Sequence, residues 1–200
     1  MIGSERTVES AAFTASAHRV PVFVGSSAAL RPARRFDAII LFHVLEHLSA
    51  PCEVLQHCEQ ALKPGGTLIV AVPNARSWQA RIFGPTWFHL DVPRHLYHFS
   101  PASLSRALER VGLRPGSANF HSFEHDPFGW IQSLLNRAGF RQNQLTSALI
   151  GARTAECSSF RLGLMAAMAL AIAIPSLVLS ICSWMASAGA VMEVSARKPA

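Results

Sequence analysis

Apolar positions run along this chain in two alternating rhythms. Met1–Gly3 reads as the end of a strand, and Thr7–Ala17 follows with Val8, Ala11, Ala12 and Ala15 on one helical face. Val20–Val24 is a short β-branched run closed by Gly25, the pattern of a buried strand. Phe36–Phe42 (FDAIILF) is almost unbroken in its apolar character, as expected of a parallel strand covered on both faces. Pro51–Leu62 predicts an amphipathic helix with Val54, Leu55, Cys58 and Leu62 turned inward. Lys63-Pro64-Gly65-Gly66 stops it before a further strand over Thr67–Val72. Ser100 caps a predicted helix over Pro101–Val111, with proline at its first position and Gly112 just past its end. Strands alternating with helices across short turns predict an α/β fold, a Rossmann-like doubly wound sheet.

The last third breaks this rhythm. No charged residue falls between Arg161 and Glu193, and 162–188 is strongly apolar. As one helix this stretch is roughly 40 Å long, enough to cross a hydrocarbon core of about 30 Å with tilt. Pro175 divides it into halves of about 20 Å, each too short to cross alone. Arg153 and Arg161 precede it, and Arg197 and Lys198 follow. The pattern predicts a membrane-associating helix or hairpin, re-entrant or interfacial rather than a single crossing, although composition alone equally fits one transmembrane helix. Ala190–Ala196 then alternates like a closing strand.

Composition narrows the class. Half of the residues are apolar and 15% are charged, which excludes a disordered chain. The net charge of +6 comes mostly from scattered arginines, with Arg31, Arg34 and Arg35 the single tight cluster, so no nucleic-acid partner is expected. Cys52, Cys58, Cys157 and Cys182 form no CxxC pair, which fits a reducing compartment. The polar start MIGSERTVES does not fit a signal peptide.

Four stretches, in order, resemble the class I S-adenosylmethionine-dependent methyltransferase family of the small-molecule type. Phe36–Ile40 leading into His43-Val44-Leu45-Glu46-His47-Leu48 resembles its fourth strand and the following loop. Leu62-Lys63-Pro64-Gly65-Gly66 before TLIVAVPN resembles the turn into its fifth strand. Trp87–Ser100 (WFHLDVPRHLYHFS) resembles the segment closing over the active site, and Gly189–Lys198 its final antiparallel strand. The resemblance implies S-adenosylmethionine as cofactor. Cofactor-binding residues would be Glu5 on the ribose hydroxyls, Gly25 and Ser26 near adenine, and Phe42 and His43 beside the sulfonium. Catalytic or acceptor-orienting residues would be His43, Asp91, Arg94, His95 and His98. The chain departs from the family's pattern at two places. Gly25-Ser26 stands where the family usually has an acidic residue. No counterpart of its glycine-rich first loop appears, because Met1-Ile2 already aligns with the second strand. The expected fold therefore lacks the first strand, which leaves its neighbours to pair directly or stand with open edges.

His43-Val44-Leu45-Glu46-His47 is also a literal H-x-x-E-H, with Glu109 or Glu124 as a third zinc ligand in a peptidase-like reading. It follows directly on a buried strand, and Ser49-Ala50-Pro51 ends any helix within a turn, so it is read as a loop with no metal. Trp78, Trp87 and Trp130 are read as packing residues, and His18 and His57 as surface residues. The expected organisation is a partial methyltransferase domain over 1–125, a helical linker over 126–161, the membrane-associating segment over 162–188 and a closing strand over 189–200. The expected function is methyl transfer to a small, lipid-like acceptor at the cytoplasmic face of a membrane. The alternative is a non-catalytic membrane-associated remnant that has lost cofactor binding.

Overall fold

The computed structural model describes residues 2–5, 7–25, 36–140, 144–145 and 159–200. Ser26, the Arg31/Arg34/Arg35 cluster, Arg153 and Cys157 lie outside the described residues. Strand β1 (Gly3–Glu5), helix α1 (Val8–His18) and strand β2 (Val22–Val24) form a small βαβ unit, with β1 and β2 parallel. Thr7 caps α1 by accepting from Ser10 N, one residue before the helix begins. The inward face is narrower than expected. Ala11 is buried, whereas Val8 and Phe13 are exposed.

The main sheet has four strands in the order β3 (Phe36–Phe42), β4 (Leu62–Pro73), β6 (Val191–Arg197) and β5 (Arg114–Asn119). β3 and β4 are parallel, and β6 lies antiparallel to both β4 and β5. Helices α2 (Pro51–Ala61) and α4 (Pro101–Arg110) cover one face and α5 (His125–Arg137) follows β5. A short helix α3 (Trp78–Phe83) leaves the end of β4. The core between sheet and helices joins Leu45, Leu55, Leu68, Val70, Leu104, Leu108 and Met192, all essentially fully buried. At roughly 25 cal/mol per Å² of apolar surface, each such side chain contributes on the order of 2 kcal/mol. α4 closes as predicted: Ser100 Oγ accepts from Ser103 N, Ser103 Oγ accepts from Ser100 N, and Gly112 takes a φ of 85° past the end.

β1 and β3 do not pair; the two sheets are separate. Of the two arrangements expected without a first strand, the open-edged one is formed. β3, which the sequence predicts as covered on both faces, is open on one of them: Ile40 is 63% exposed and Phe42 55%. β5 was not foreseen, because Arg114-Pro115-Gly116-Ser117-Ala118-Asn119 carries turn residues and forms a strand only at the edge, on β6.

The apolar segment is one helix, α6 (Ser159–Met185), continuous through Pro175, so the sharp division into two halves is not seen in it. One face packs on α5, where Met165 joins Leu135, Phe140, Phe128 and Ile131. Ser176, Ser180 and Ser183 are also buried, each hydroxyl donating to a carbonyl of the preceding turn. The other face leaves Phe160, Leu170, Ile174 and Met185 more than three-quarters exposed.

Candidate functional site

The ends of β3 and β4, the one-turn helix Leu45–His47 and the segment 87–100 meet at one place. His43 is the first residue past β3. It takes a φ of 51°, uncommon for a residue with a Cβ, and its backbone N–H donates to Ala71 O on β4 at 2.9 Å. This turn swings its imidazole onto Glu46, with Nδ1 3.1 Å from Glu46 Oε1. Glu46 is completely buried. Its backbone carbonyl accepts from Leu96 N and Tyr97 N at 2.8 and 3.2 Å, stapling the one-turn helix to the closing segment. His43 Nε2 is buried with no hydrogen-bond partner, as is Glu46 Oε2. Unsatisfied buried polar atoms of this kind are costly in a static fold and are commonly found where a ligand binds.

Two histidines that the sequence did not single out complete the wall. The His125 ring, at the start of α5, sits 4.6 Å from that of His43, and His89 lies 6.4 Å from His125 between centroids. The Phe42 ring meets those of His43 and His125 at steep angles, 4.8 and 5.9 Å between centroids. Burial holds His89 well below the usual imidazole range, with His43, His125 and His95 adding to the effect. Burial also lowers His125, with the His43 charge next. These rings are therefore neutral at neutral pH, able to accept or donate one hydrogen bond without bringing a charge.

The predicted residues of the closing segment fall into two groups. Asp91 takes a φ of 34° and pairs with Arg94 Nη1 at 3.1 Å, and its Oδ2 is 3.9 Å from His95 Nε2. His95 Nδ1 bonds the His89 carbonyl at 2.8 Å, and burial lowers its pKa. His98 is exposed and spends Nε2 on the Leu90 carbonyl at 2.9 Å, a bond that shapes the segment. Glu5 and Gly25 stand together at the carboxyl ends of β1 and β2, where Gly25 N donates to Glu5 O at 2.9 Å and the Glu5 carboxylate accepts from Thr14 Oγ1 at 3.1 Å. They belong to the small sheet, whereas Phe42 and His43 belong to the large one. Trp87 and Trp130 are buried against Phe83, and Trp78 packs beside them.

The H-x-x-E-H stretch does not form a zinc helix. His43 ends a strand, only Leu45–His47 is helical, and His47 turns away from His43 to face His95, 4.7 Å between centroids. The sequence offers Glu46 only within the H-x-x-E-H pattern, and not as the buried partner of His43, because its burial is set by the fold. It gives no sign of His89 and His125, because their rings converge only through the fold.

The sequence profile of the methyltransferase-domain family matches residues 5–117. A ubiquinone biosynthesis O-methyltransferase from Cereibacter sphaeroides is 29% identical over 109 residues, which are 52% of this chain and 43% of that protein. The chain thus matches less than half the length of this relative. A SAM-dependent methyltransferase from Archaeoglobus fulgidus superposes with a TM-score of 0.57 at 18% identity, covering 98% of this chain and 75% of that one. The [4+2]-cyclase SpnF superposes with a TM-score of 0.55, also at 18% identity, over 99% of this chain and 66% of that one. The second likeness shows that this fold also carries chemistry other than methyl transfer.

Proposed function

The chain belongs to the methyltransferase-domain family, whose solved relatives include SAM-dependent enzymes, and on that premise we propose that it transfers a methyl group from S-adenosylmethionine to a hydroxyl of a lipid-like acceptor. The observation that carries this reading is the His43–Glu46 pair, with one imidazole nitrogen held by a buried carboxylate and the other buried and unpartnered at the end of a parallel strand.

The residues present fit an S-adenosyl group by their chemistry. The Glu5 carboxylate at the end of β1 is an acceptor for paired ribose hydroxyls, and the half-exposed Phe42 ring offers a π-face to a sulfonium. When bound, S-adenosylmethionine supplies a methyl already activated by positive sulfur. His43 accepts the acceptor's hydroxyl proton at Nε2, leaving the oxygen as nucleophile. Glu46 keeps the other nitrogen protonated and stabilises the imidazolium that forms. Neutral His125 and His89 line the space beside it and bring no charge that would compete for the proton. Asp91 and Arg94 pair within the closing segment, which Leu96 N and Tyr97 N tie to the Glu46 carbonyl beside this pair.

Two observations support the lipid-like acceptor. The exposed face of α6 carries no charge after Arg161, the helix is long and apolar enough to cross a membrane, and it packs on α5, which begins with His125. The Cereibacter sphaeroides relative is a ubiquinone biosynthesis O-methyltransferase, which supports a hydroxyl acceptor of that chemical class. A single surface-lying helix whose far end returns directly into β6 favours a membrane-interface location. A second reading, a non-catalytic membrane-associated remnant, is favoured by the separation of Glu5 and Gly25 from β3.

Calorimetry of S-adenosylmethionine binding by the full chain in mild detergent separates the two. Saturable binding, followed by methylation of a prenylated catechol in vesicles, is the expected result, with His43→Ala lowering turnover by roughly 100-fold or more. Absence of binding hands the chain to the remnant reading, and equal activity on the tail-less catechol removes the lipid-like acceptor.

A further inference from the structure

The free edge of β3 has no part in the methyl-transfer reading. Among the described residues β3 pairs with β4 alone and ends the sheet. The N–H of His43, next in line after β3, donates to Ala71 O on β4 at 2.9 Å, and Asp37 O lies against Gly66 of β4. Backbone groups alternate sides along a strand. The odd-numbered residues of β3 therefore face β4, and the N–H and C=O groups of Phe36, Ala38, Ile40 and Phe42 face the open edge. The side chains of Ala38, Ile40 and Phe42 are exposed on the outer face of the sheet, whereas Ile39 and Leu41 pack on the core. Their neighbours on β4 are Thr67, Ile69 and Ala71, so the uncharged face continues inward. Natural proteins commonly blunt an open edge with lysine or proline. Neither stands at any of the edge-facing positions, and Asp37, the one charged residue of β3, is held by Lys63 of β4 at 2.8 Å.

We propose that β3 pairs antiparallel with β3 of a second copy of this chain, about a two-fold axis at Ile39, joining two four-stranded sheets into one. With Ile39 opposite Ile39, Ala38 falls opposite Ile40 and Phe36 opposite Phe42. All four of these flanking positions face the edge, so each opposed pair exchanges both of its hydrogen bonds. The same register sets a small side chain against a large one and one phenylalanine against another, on a common face. A slip of one residue turns every side chain to the wrong face, and a slip of two leaves one phenylalanine with nothing opposite it. The edge is thus its own complement in length, backbone direction and side-chain size, which is what a second copy supplies. A two-fold contact of this kind closes on itself, so assembly through β3 stops at two. The pairing rests on the edge alone, and a dimer that bound no S-adenosylmethionine would leave it standing.

The test uses the full chain in mild detergent. In sedimentation equilibrium at matched detergent density the wild type is expected to be a dimer. Ile40→Lys sets an ammonium among apolar neighbours on both sides of the axis, and should lose the dimer while keeping its circular-dichroism spectrum. Ile40 is exposed, so the change is compatible with the fold of one copy. Crosslinking reads the register, in a background of Cys52→Ser, Cys157→Ser and Cys182→Ser that removes competing thiols. Residues of a hydrogen-bonded pair have Cα atoms about 5.5 Å apart, within the span of roughly 4.4–6.8 Å that a disulfide bridges. Diagonal neighbours stand about 7–8 Å apart, beyond it. A mixture of Ala38→Cys and Ile40→Cys chains should therefore form disulfide-linked dimers several-fold faster than either chain alone. A wild-type monomer, a dimer that Ile40→Lys leaves intact, or mixed chains that crosslink no faster than single ones overturns the proposal.

Discussion

Asp126 is fully buried and takes hydrogen bonds from Trp184 Nε1, from Ala190 N at 3.0 Å and from Val191 N. All three donors favour the carboxylate, yet burial outweighs them and pushes its pKa up from 3.8 to about 6. The folded value lies above the unfolded one, so this group stabilises the fold fully below about pH 4 and loses that contribution as pH rises through 6. The shift corresponds to roughly 3 kcal/mol. The buried His89 and the half-buried His125, with lowered values, act in the opposite direction, losing stability as pH falls through the ordinary imidazole range. The informative quantity is therefore the difference between wild type and Asp126→Asn. In urea melts the wild type should gain on the variant by a few kcal/mol between pH 7 and pH 4; parallel profiles would remove Asp126 as the cause. A residue of this kind is invisible in sequence, because Asp126 sits in an ordinary helix first turn and gains its partners from 58 and 64 positions away. The motif resemblance points to His43, Asp91, Arg94 and His95 as candidates, whereas His89, His125 and the unpartnered oxygen of Glu46 enter as candidates only through the fold.

Elements with clear punctuation were read closely. α4 has a hydroxyl cap, a proline start and a glycine stop, and the structure ends it within one residue of the expected position. Ser100→Ala should cost about 1 kcal/mol in denaturant melts, since it removes the acceptor from Ser103 N. β5 had no such signal, because its proline and glycine pair only through one edge of β6. α6 was legible as an apolar segment, but its sidedness was not: Leu170 and Ile174 are exposed, while Met165 and Trp184 are buried. Leu170→Lys with Ile174→Lys, on the exposed face, should abolish flotation with anionic vesicles while preserving the circular-dichroism spectrum. Unchanged flotation would count against the membrane-interface location.

At the scale of the molecule, the alternation of strands and helices made the α/β class legible, while the departure from the family pattern left direct pairing and open edges as alternatives that the structure decides. Nothing in the sequence said how far apart the two sheets stand, because that is set by packing between elements and not by any one of them. The link between α6 and the rest of the fold was equally hidden. Trp184→Phe removes one of the donors to Asp126, leaves the backbone donors in place and should cost about 1–3 kcal/mol in urea melts.

His125 and Asp126 are consecutive residues at the start of α5. One ring faces His43, and the neighbouring carboxylate grips the far end of α6 through Trp184. A single peptide unit is thus the fulcrum between the apolar helix and the site, with arms a few ångströms long on either side. On the membrane-interface reading proposed above, a tilt of α6 pulls on Trp184, and through Asp126 on the backbone that carries His125, so that reading and the methyl-transfer reading share one mechanical joint.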